Sequence, residues 1–437
     1  MNEIFDYFLI TGISIGIIYT ILETIFLTVG RKSAGRKLSQ MTEFPPVTVL
    51  KPLKGIDGQL IDNLRSFFEI DYPEFELIFG VNDADDPAIM EVRKLQREYP
   101  EVESRLIVNE FRIGANPKVN NLYNMNSYVK YNHLVISDSN VRVDNDYIRQ
   151  LVSEMDSPKV GLVTSIIRGV DATGFGSLFE NLHLNTFVAA NVFSIKKLFK
   201  IPITIGKSML FRRETLNQIG GFEALSQYLA EDFMIGQMIS GLGLEIRESA
   251  SCINAVNSGW KFGRFTNRHL RWATMRRHIN VWNYSAEIFS NPVFFALLYL
   301  IKNPQVYGVE LFASVYLTKS LIDYIGSLSM NTGERWYHYL LTPIKDLAIA
   351  GIWFMPFFNY MVNWRGNCFI VSDQTKLTKL PSANIEIGLT AGEIYYTAFK
   401  EKTVADNLTP VQRLFWFTGM AGRLMLTGTR RIIARLG

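Results

Sequence analysis

Cysteine is almost missing from this 437-residue chain. Cys252 and Cys368 are the two present, without C-x-x-C spacing, which excludes a disulfide framework and suits a reducing compartment. Histidine is scarce too: five residues, scattered without the paired spacing of metal ligands. Charge of one sign is also lacking, since 45 Lys and Arg against 41 Asp and Glu leave +4. The basic residues cluster beside apolar runs without aromatic interleaving, so no nucleic acid partner is expected. No Walker motif is present, which argues against a P-loop kinase, and no internal repeat or low-complexity linker interrupts the chain.

Apolar sequence, by contrast, is abundant. Hydrophobic residues make up 48 % and the mean hydropathy is +0.09, so membrane contact is expected. Residues 5 to 29 form a run broken only by Asp6 and Glu23, long enough to cross about 30 Å of hydrocarbon. Arg31, Lys32, Arg36 and Lys37 follow at once. Basic clusters stay in the cytoplasm, which places the N-terminus outside and the next domain inside; charges after the run also disfavour a cleaved signal peptide. Further apolar stretches lie at 291 to 301, 307 to 328 and 341 to 363. The first is too short to span and is read as interfacial or re-entrant, while the other two make a hairpin that returns the tail to the cytoplasm with Arg365, Lys376 and Lys379. A last segment opens on Thr409-Pro410 and sets Val411, Leu414, Phe415, Phe417, Met420, Ala421 and Leu424 beside Arg413, Arg423, Arg430 and Arg431. That pattern fits a helix lying on an anionic membrane face. The expected organisation is an anchor and basic linker at 1–43, an α/β domain at 44–285, an interfacial segment and hairpin at 286–366, and a tail with a membrane-surface helix at 367–437.

Within 44–285, short β-rich runs alternate with helical patterns, predicting a Rossmann-like mixed sheet covered by helices. The strand Val47 to Leu50 ends in Lys51-Pro52-Leu53-Lys54-Gly55, which puts two ammonium groups where open α/β sheets bind ligands. Phe75 to Val81 ends in a run with Asp83, Asp85 and Asp86. These make a turn and a helix cap, or bind the base or ribose of a nucleotide, with Asp83 foremost. Lys118, near a helix start in Asn116-Pro117-Lys118, is placed to meet a phosphate. His133 to Ile136 delivers Ser137-Asp138-Ser139-Asn140, read either as an Asx turn or as a site for a hard divalent cation held by Asp138. A strand at Val160 to Ile167 and a long apolar helix from Gly176 to Lys196 follow, with His183 as a core or boundary residue.

The stretch Gly206 to Trp272 organises the rest. Glu231-Asp232 falls where an apolar loop gives way to a helical pattern, so an ionised carboxylate able to take a proton sits at a helix N-terminus, where a plain cap is the alternative. Arg268, Arg271 and Trp272 share a helical face, a pair of fixed cations with an aromatic plate. Such a face suits a departing diphosphate, and equally a solvated or lipid-facing surface.

Taken in order, these motifs resemble the ceramide glucosyltransferases, a membrane-bound family of the GT-A class. The likeness runs from Val47 to about Arg277 and resumes at Trp364-Arg365-Gly366. It rests on Leu50 to Gly55, Asp83 to Pro87, Asn116-Pro117-Lys118-Val119-Asn120-Asn121-Leu122, Asp138-Ser139, Gly161-Leu162-Val163, Ala230-Glu231-Asp232 and Arg268 to Trp272. The resemblance implies a GT-A domain with transmembrane and interfacial helices. It gives Asp83 to the uridine, Asp138 to the diphosphate and a Mg or Mn ion, Asp232 to the base, and Arg268, Arg271 and Trp272, with Glu231 beside them, to the leaving-diphosphate and acceptor side. Lys51, Lys54, Asp85, Asp86 and Lys118 complete the expected nucleotide-sugar site. Two departures stand out: Asp138-Ser139-Asn140 replaces the Asp-x-Asp of many GT-A enzymes, and residues past 385 have no counterpart in the family's catalytic core. The implied activity is inverting transfer of a hexose, glucose first, from a UDP-sugar to the primary hydroxyl of a membrane lipid, ceramide first. Its expected setting is an integral membrane protein working on the cytoplasmic face of a bacterial inner membrane or of a Golgi or ER membrane. The rivals are a hopanoid or diacylglycerol acceptor, a processive polysaccharide synthase, and a non-catalytic membrane scaffold.

Overall fold

The computed structural model describes residues 2–34, 43–201, 203–359, 361–364 and 367–379. Two compact units emerge: Met1–Thr266 with Ala286–Ala350, and Asn267–Ser285 with the described residues from Gly351 on. The segments expected at 1–43, 44–285, 286–366 and 367–437 are distributed over these two. Arg36, Lys37, Arg365, Gly366 and the segment from Thr409 to Arg431 lie outside the described residues.

The first unit is built on an eight-stranded sheet. Its strands are β1 (Val47–Pro52), β2 (Phe75–Val81), β3 (Ser104–Val108), β4 (His133–Ser137), β5 (Val141–Arg142), β6 (Val160–Thr173), β7 (Ser208–Arg212) and β8 (Glu245–Ser258), in the order β3-β2-β1-β4-β7-β6-β8-β5. Buried from Val47 to Lys51, β1 is a central strand, and β2 and β4 flank it in parallel, Val47 lying opposite both Phe75 and His133. The carboxyl ends of β1, β2 and β4 therefore open on one edge. Antiparallel β7 follows β4 with Ser208 opposite Ser137, and this register fixes what stands beside Asp138.

Helices of this unit are α1 (Asn2–Ala34), α2 (Leu60–Phe68), α3 (Ala88–Glu98), α4 (Pro117–Asn126), α5 (Tyr147–Glu154), α6 (Phe175–His183), α7 (Ala189–Phe199), α8 (Arg213–Gln218) and α9 (Glu231–Gly241). Beyond them come α10 (Phe262–Ile279), α11 (Val281–Ala286), α12 (Pro292–Lys302), α13 (Val306–Leu328) and α14 (Thr342–Phe354). Leu50, Ile78, Leu134, Ile136, Leu162 and Phe211 of the sheet pack on Val119, Leu122 and Met125 of α4 and on Ile235 and Ile239 of α9. Helix α4 begins where it does because the Asn116 side chain accepts from the Lys118 and Val119 amides and Pro117 takes the first helical position.

Three elements differ from the expected pattern. Strand β6 continues past Ile167 to Thr173, because main-chain pairing with β8 (Arg168 opposite Asn254, Val170 opposite Val256) carries it through residues whose polarity masks a strand. The expected 176 to 196 helix is interrupted by a π turn at Leu184–Val188. The apolar stretch 341 to 363 divides: α14 stops at Phe354, a short turn holds Pro356, and Met361–Trp364 form a strand.

Among the described residues, two helices are long and apolar enough to cross a membrane, Glu3–Arg31 with mean hydropathy 1.9 and Trp336–Phe357 with 1.3, and the pair Val281–Ser290 and Pro292–Lys302 is bent by 67° as a broken span or re-entrant loop. The second arm of the expected hairpin is thus among them and α13 is not. Helix α13 carries Lys319 and Asp323, which pair at 2.5 Å, and Lys319 also reaches Asp346 of α14 at 3.2 Å. Helix α1 is more than a tether. Leu27 packs with Ala189, Ala190 and Phe193 of α7 and with Ile166 and Cys252 of the sheet, while the Glu23 carboxylate accepts from Asn191. A Cβ on Gly30 would come within 2.5 Å of the Phe193 ring, so the glycine permits this approach.

The second unit holds a three-stranded antiparallel sheet, β9 (Met361–Trp364), β10 (Asn367–Val371) and β11 (Leu377–Lys379). Within it, Tyr284 donates to the Trp353 carbonyl at 2.7 Å and the Trp353 indole donates back to the Tyr284 carbonyl at 2.9 Å.

Candidate active site

Helix α9 opens with two acids in its first turn, Glu231 and Asp232. Asp232 is half-buried; its Oδ1 accepts from the Phe233 amide and its Oδ2 from the Gly206 amide, each at 2.8 Å. Burial and the neighbouring Glu231 push its pKa up to about 6, against the pull of Lys118 and the two amides. A helix N-terminus alone would keep the group fully ionised, so the expectation of an ordinary carboxylate is replaced by one poised near neutrality. Such a group suits proton transfer. Gly206 is what lets it sit there: a Cβ at that position would meet Asp232 Oδ2 at 2.7 Å and Cγ at 3.0 Å. We expect Gly206→Ala to displace the carboxylate and cut turnover about 10-fold to 100-fold, as misplaced catalytic groups do, while the thermal midpoint moves little. A variant as active as the parent chain would refute this.

Lys118 is the hub. Its ammonium contacts Asp138 Oδ1 at 2.8 Å, Glu231 Oε1 at 3.0 Å and the Gly206 carbonyl at 2.9 Å. Burial opposes its charge, but Asp138, Glu231 and Asp232 outweigh it and hold the pKa well above the ordinary lysine value. Lys207 approaches the other oxygen of Asp138 at 3.7 Å and donates to Asn140 Oδ1 at 2.5 Å. The structure thus gathers Lys118, Asp138 and the adjacent pair Glu231 and Asp232 from three separate stretches of sequence.

Other expected residues sit elsewhere. Lys51 is fully buried, its ammonium donating to the Asp138 carbonyl at 2.7 Å and lying 3.6 Å from the Phe67 ring centroid. Burial pushes its pKa well below the usual value, so it props the β4 loop from behind. Lys54 is exposed. Asp86 is buried and both its oxygens accept from the Gly55 amide, at 3.0 and 2.9 Å, which fastens the loop after β1 to the loop after β2. Asp83 and Asp85 are exposed, with Asp83 Oδ1 accepting from the Asp85 amide at 3.0 Å. In the second unit, the Arg268 guanidinium lies over the Trp272 ring at 4.4 Å and that of Arg271 over the Trp364 ring at 5.6 Å.

Several contributors carry no sequence assignment of their own. Asn116 donates to Glu231 Oε2 at 3.2 Å, and Asn121 donates to the Leu53 and Gly80 carbonyls at 3.3 and 2.7 Å, so the amide-rich motif around Lys118 binds loops together. Asp57 accepts from Ser139 Oγ at 3.0 Å and pairs with Arg264 at 3.0 Å. The amides lie inside a motif quoted above and could be suspected from it; Asp57 gives no signal in the sequence.

Carboxylates and ammonium groups thus converge where parallel strands end, on a mixed sheet whose unit also carries an apolar helix long enough to cross a membrane. The chain belongs to glycosyl transferase family 21, whose profile matches residues 8–377. It is similar to ceramide glucosyltransferase 3 of Caenorhabditis elegans, 25 % identical over 360 residues that cover 80 % of this chain and 78 % of that one. Ceramide glucosyltransferase 1 of the same organism is 31 % identical over 233 residues, 53 % of this chain and 50 % of the relative. A ceramide glucosyltransferase of Komagataella phaffii is 28 % identical over 312 residues, 58 % and 61 % of the two chains. The enzyme is accordingly a hexosyltransferase. Among solved structures, a mannosyltransferase of Pyrobaculum calidifontis in complex with GDP-Man and Mn2+ aligns with 79 % of this chain and 99 % of its own, at TM-score 0.42 and 17 % identity. A glucosyl-3-phosphoglycerate synthase of Mycobacterium tuberculosis holding Mn2+ and UDP aligns with 52 % of this chain and 78 % of its own, at TM-score 0.34 and 15 % identity.

The residues around Asp138 fit a resident divalent ion poorly. Among the described residues, no three His, Cys, Asp or Glu side chains gather in a way that could hold a metal. Asp138 brings one carboxylate, Asn140 a neutral oxygen, and ammonium groups stand against both.

Proposed function

We propose that the chain transfers glucose from UDP-glucose to the primary hydroxyl of ceramide, with inversion, giving glucosylceramide and UDP. The observation that carries this reading is the Asp232 carboxylate, lifted to about 6 and held on two backbone amides beside the Lys118 cluster. In the step it would perform, the lipid oxygen bonds to the anomeric carbon, the bond from that carbon to the diphosphate oxygen breaks, and the hydroxyl proton passes to Asp232. UDP departs with the bonding electrons, met by the Lys118 ammonium. Asp83 keeps the uridine role that the family resemblance implies. The relatives' lipid substrate and the apolar helices support a bilayer acceptor, and Arg31 at the end of the first span supports a cytoplasmic site.

A transfer assay tests this: membranes carrying the full chain, labelled UDP-sugars crossed against ceramide, diacylglycerol and hopanoid. A product from UDP-glucose and ceramide alone is expected. Another pairing would move the specificity, a polymer on a sizing column would replace the lipid acceptor, and no transfer at all would end the proposal.

A further inference from the structure

Three lysines from three separate stretches of sequence converge on residue 138. Lys51 holds its carbonyl at 2.7 Å, Lys118 its Oδ1 at 2.8 Å, and Lys207 faces its Oδ2 at 3.7 Å while donating to Asn140 at 2.5 Å. Asp138 and Asn140 are the outer positions of the motif that reads Asp-x-Asp in many GT-A enzymes. A divalent ion would need the oxygens that Lys207 already engages. The placement is built in, not incidental: Lys207 is buried, its carbonyl accepts from the Asp138 amide at 3.4 Å, and the pairing of Ser137 with Ser208 fixes the approach. The Ser208 hydroxyl is in turn locked by Tyr147 at 2.7 Å and Ser165 at 2.9 Å. Substituting Asn for a carboxylate at 140 removes the charge that draws a dication and leaves an acceptor suited to a monovalent ammonium.

We propose that Lys207 stands in for the divalent cation, binding the donor's diphosphate together with Lys118, so that donor binding and transfer proceed without added metal. This rests on the transferase reading above. A lysine ammonium is a compact point charge able to contact phosphate oxygens directly.

The test uses the full chain in lipid nanodiscs and calorimetric binding of UDP and of uridine, each in chelator and in Mn2+. UDP should bind alike in both media, within about three-fold, which is under about 1 kcal/mol. Lys207→Met keeps the packing volume and should weaken UDP about 10-fold to 100-fold in chelator while leaving uridine unchanged; Lys207→Arg should restore most of the loss. The double variant Lys207→Met, Asn140→Asp should bind UDP tightly only with Mn2+, and transfer should follow the same order. If the parent chain binds UDP only with Mn2+ and Lys207→Met behaves the same, the lysine proposal falls and the transferase reading stands. Should the parent chain bind UDP in neither medium, both fall.

Discussion

Asp232→Asn is expected to lower kcat by about 100-fold to 10,000-fold, the usual worth of a positioned general base. The change is nearly isosteric. One of the two backbone amides, from Gly206 or Phe233, would face a side-chain NH2 in place of an oxygen, a loss of about 1 kcal/mol that leaves the fold intact. Thermal unfolding and UDP binding close to the parent values would establish that. The pH dependence is the sharper measurement. The proposed base would work ionised, and the Asp232 pKa is raised to about 6, so activity should climb with pH through that value and level off above it. In Asp232→Asn the residual rate should lose that step. A parent profile flat between about pH 5 and 7 would remove Asp232 from the base role.

Lys118→Met should cost the most stability of any single change at the site. The ammonium is shared by Asp138 and Glu231, and its side chain is 14 % exposed, so removing it strands the buried Glu231 and half-buried Asp138 carboxylates against one another. Breaking such a buried pair typically costs about 3 to 5 kcal/mol. The same change removes a charge that lowers the Asp232 pKa, so the activity profile of whatever protein folds should move to higher pH. Adding Glu231→Gln to Lys118→Met should recover part of the loss, a coupling that a double-variant cycle on unfolding midpoints would measure. An unfolding midpoint unchanged by Lys118→Met would mean that the cluster carries no net stabilisation.

What could be read from the sequence were features that local pattern encodes. Parallel strands β1, β2 and β4 stand out as short apolar runs, the acid pair at the start of α9 follows a helix-start pattern, and the first span is a plain apolar run. Features set by distant pairing were hidden. Nothing near Lys207 tells that β7 lies antiparallel to β4, yet that pairing brings it to Asp138. Lys51 was misleading for a related reason: a strand's carboxyl end says where a residue is, while the side chain's face decides whether it meets ligand or Phe67. Asp86 likewise looked like one of three ligands, although its oxygens are spent on the Gly55 amide. The stretch 307 to 328 reads as a membrane arm from its apolar residues, while the structure pairs its Lys319 with Asp323 and with Asp346 of another helix, a partner that local pattern does not show.

Leu27 of α1 is wedged among Phe193, Ile166 and Cys252, so the first apolar helix packs directly on the sheet that carries the candidate site. An enzyme hung from a loose leash could sample the bilayer surface at many depths and tilts. With α1 packed on its sheet, the proposed site would be held at one depth relative to the first apolar helix. Under the proposed function the burden of motion would then fall on the acceptor: a lipid would have to rise or turn until its hydroxyl reached the carboxylate, making bilayer thickness and headgroup packing determinants of turnover alongside substrate concentration.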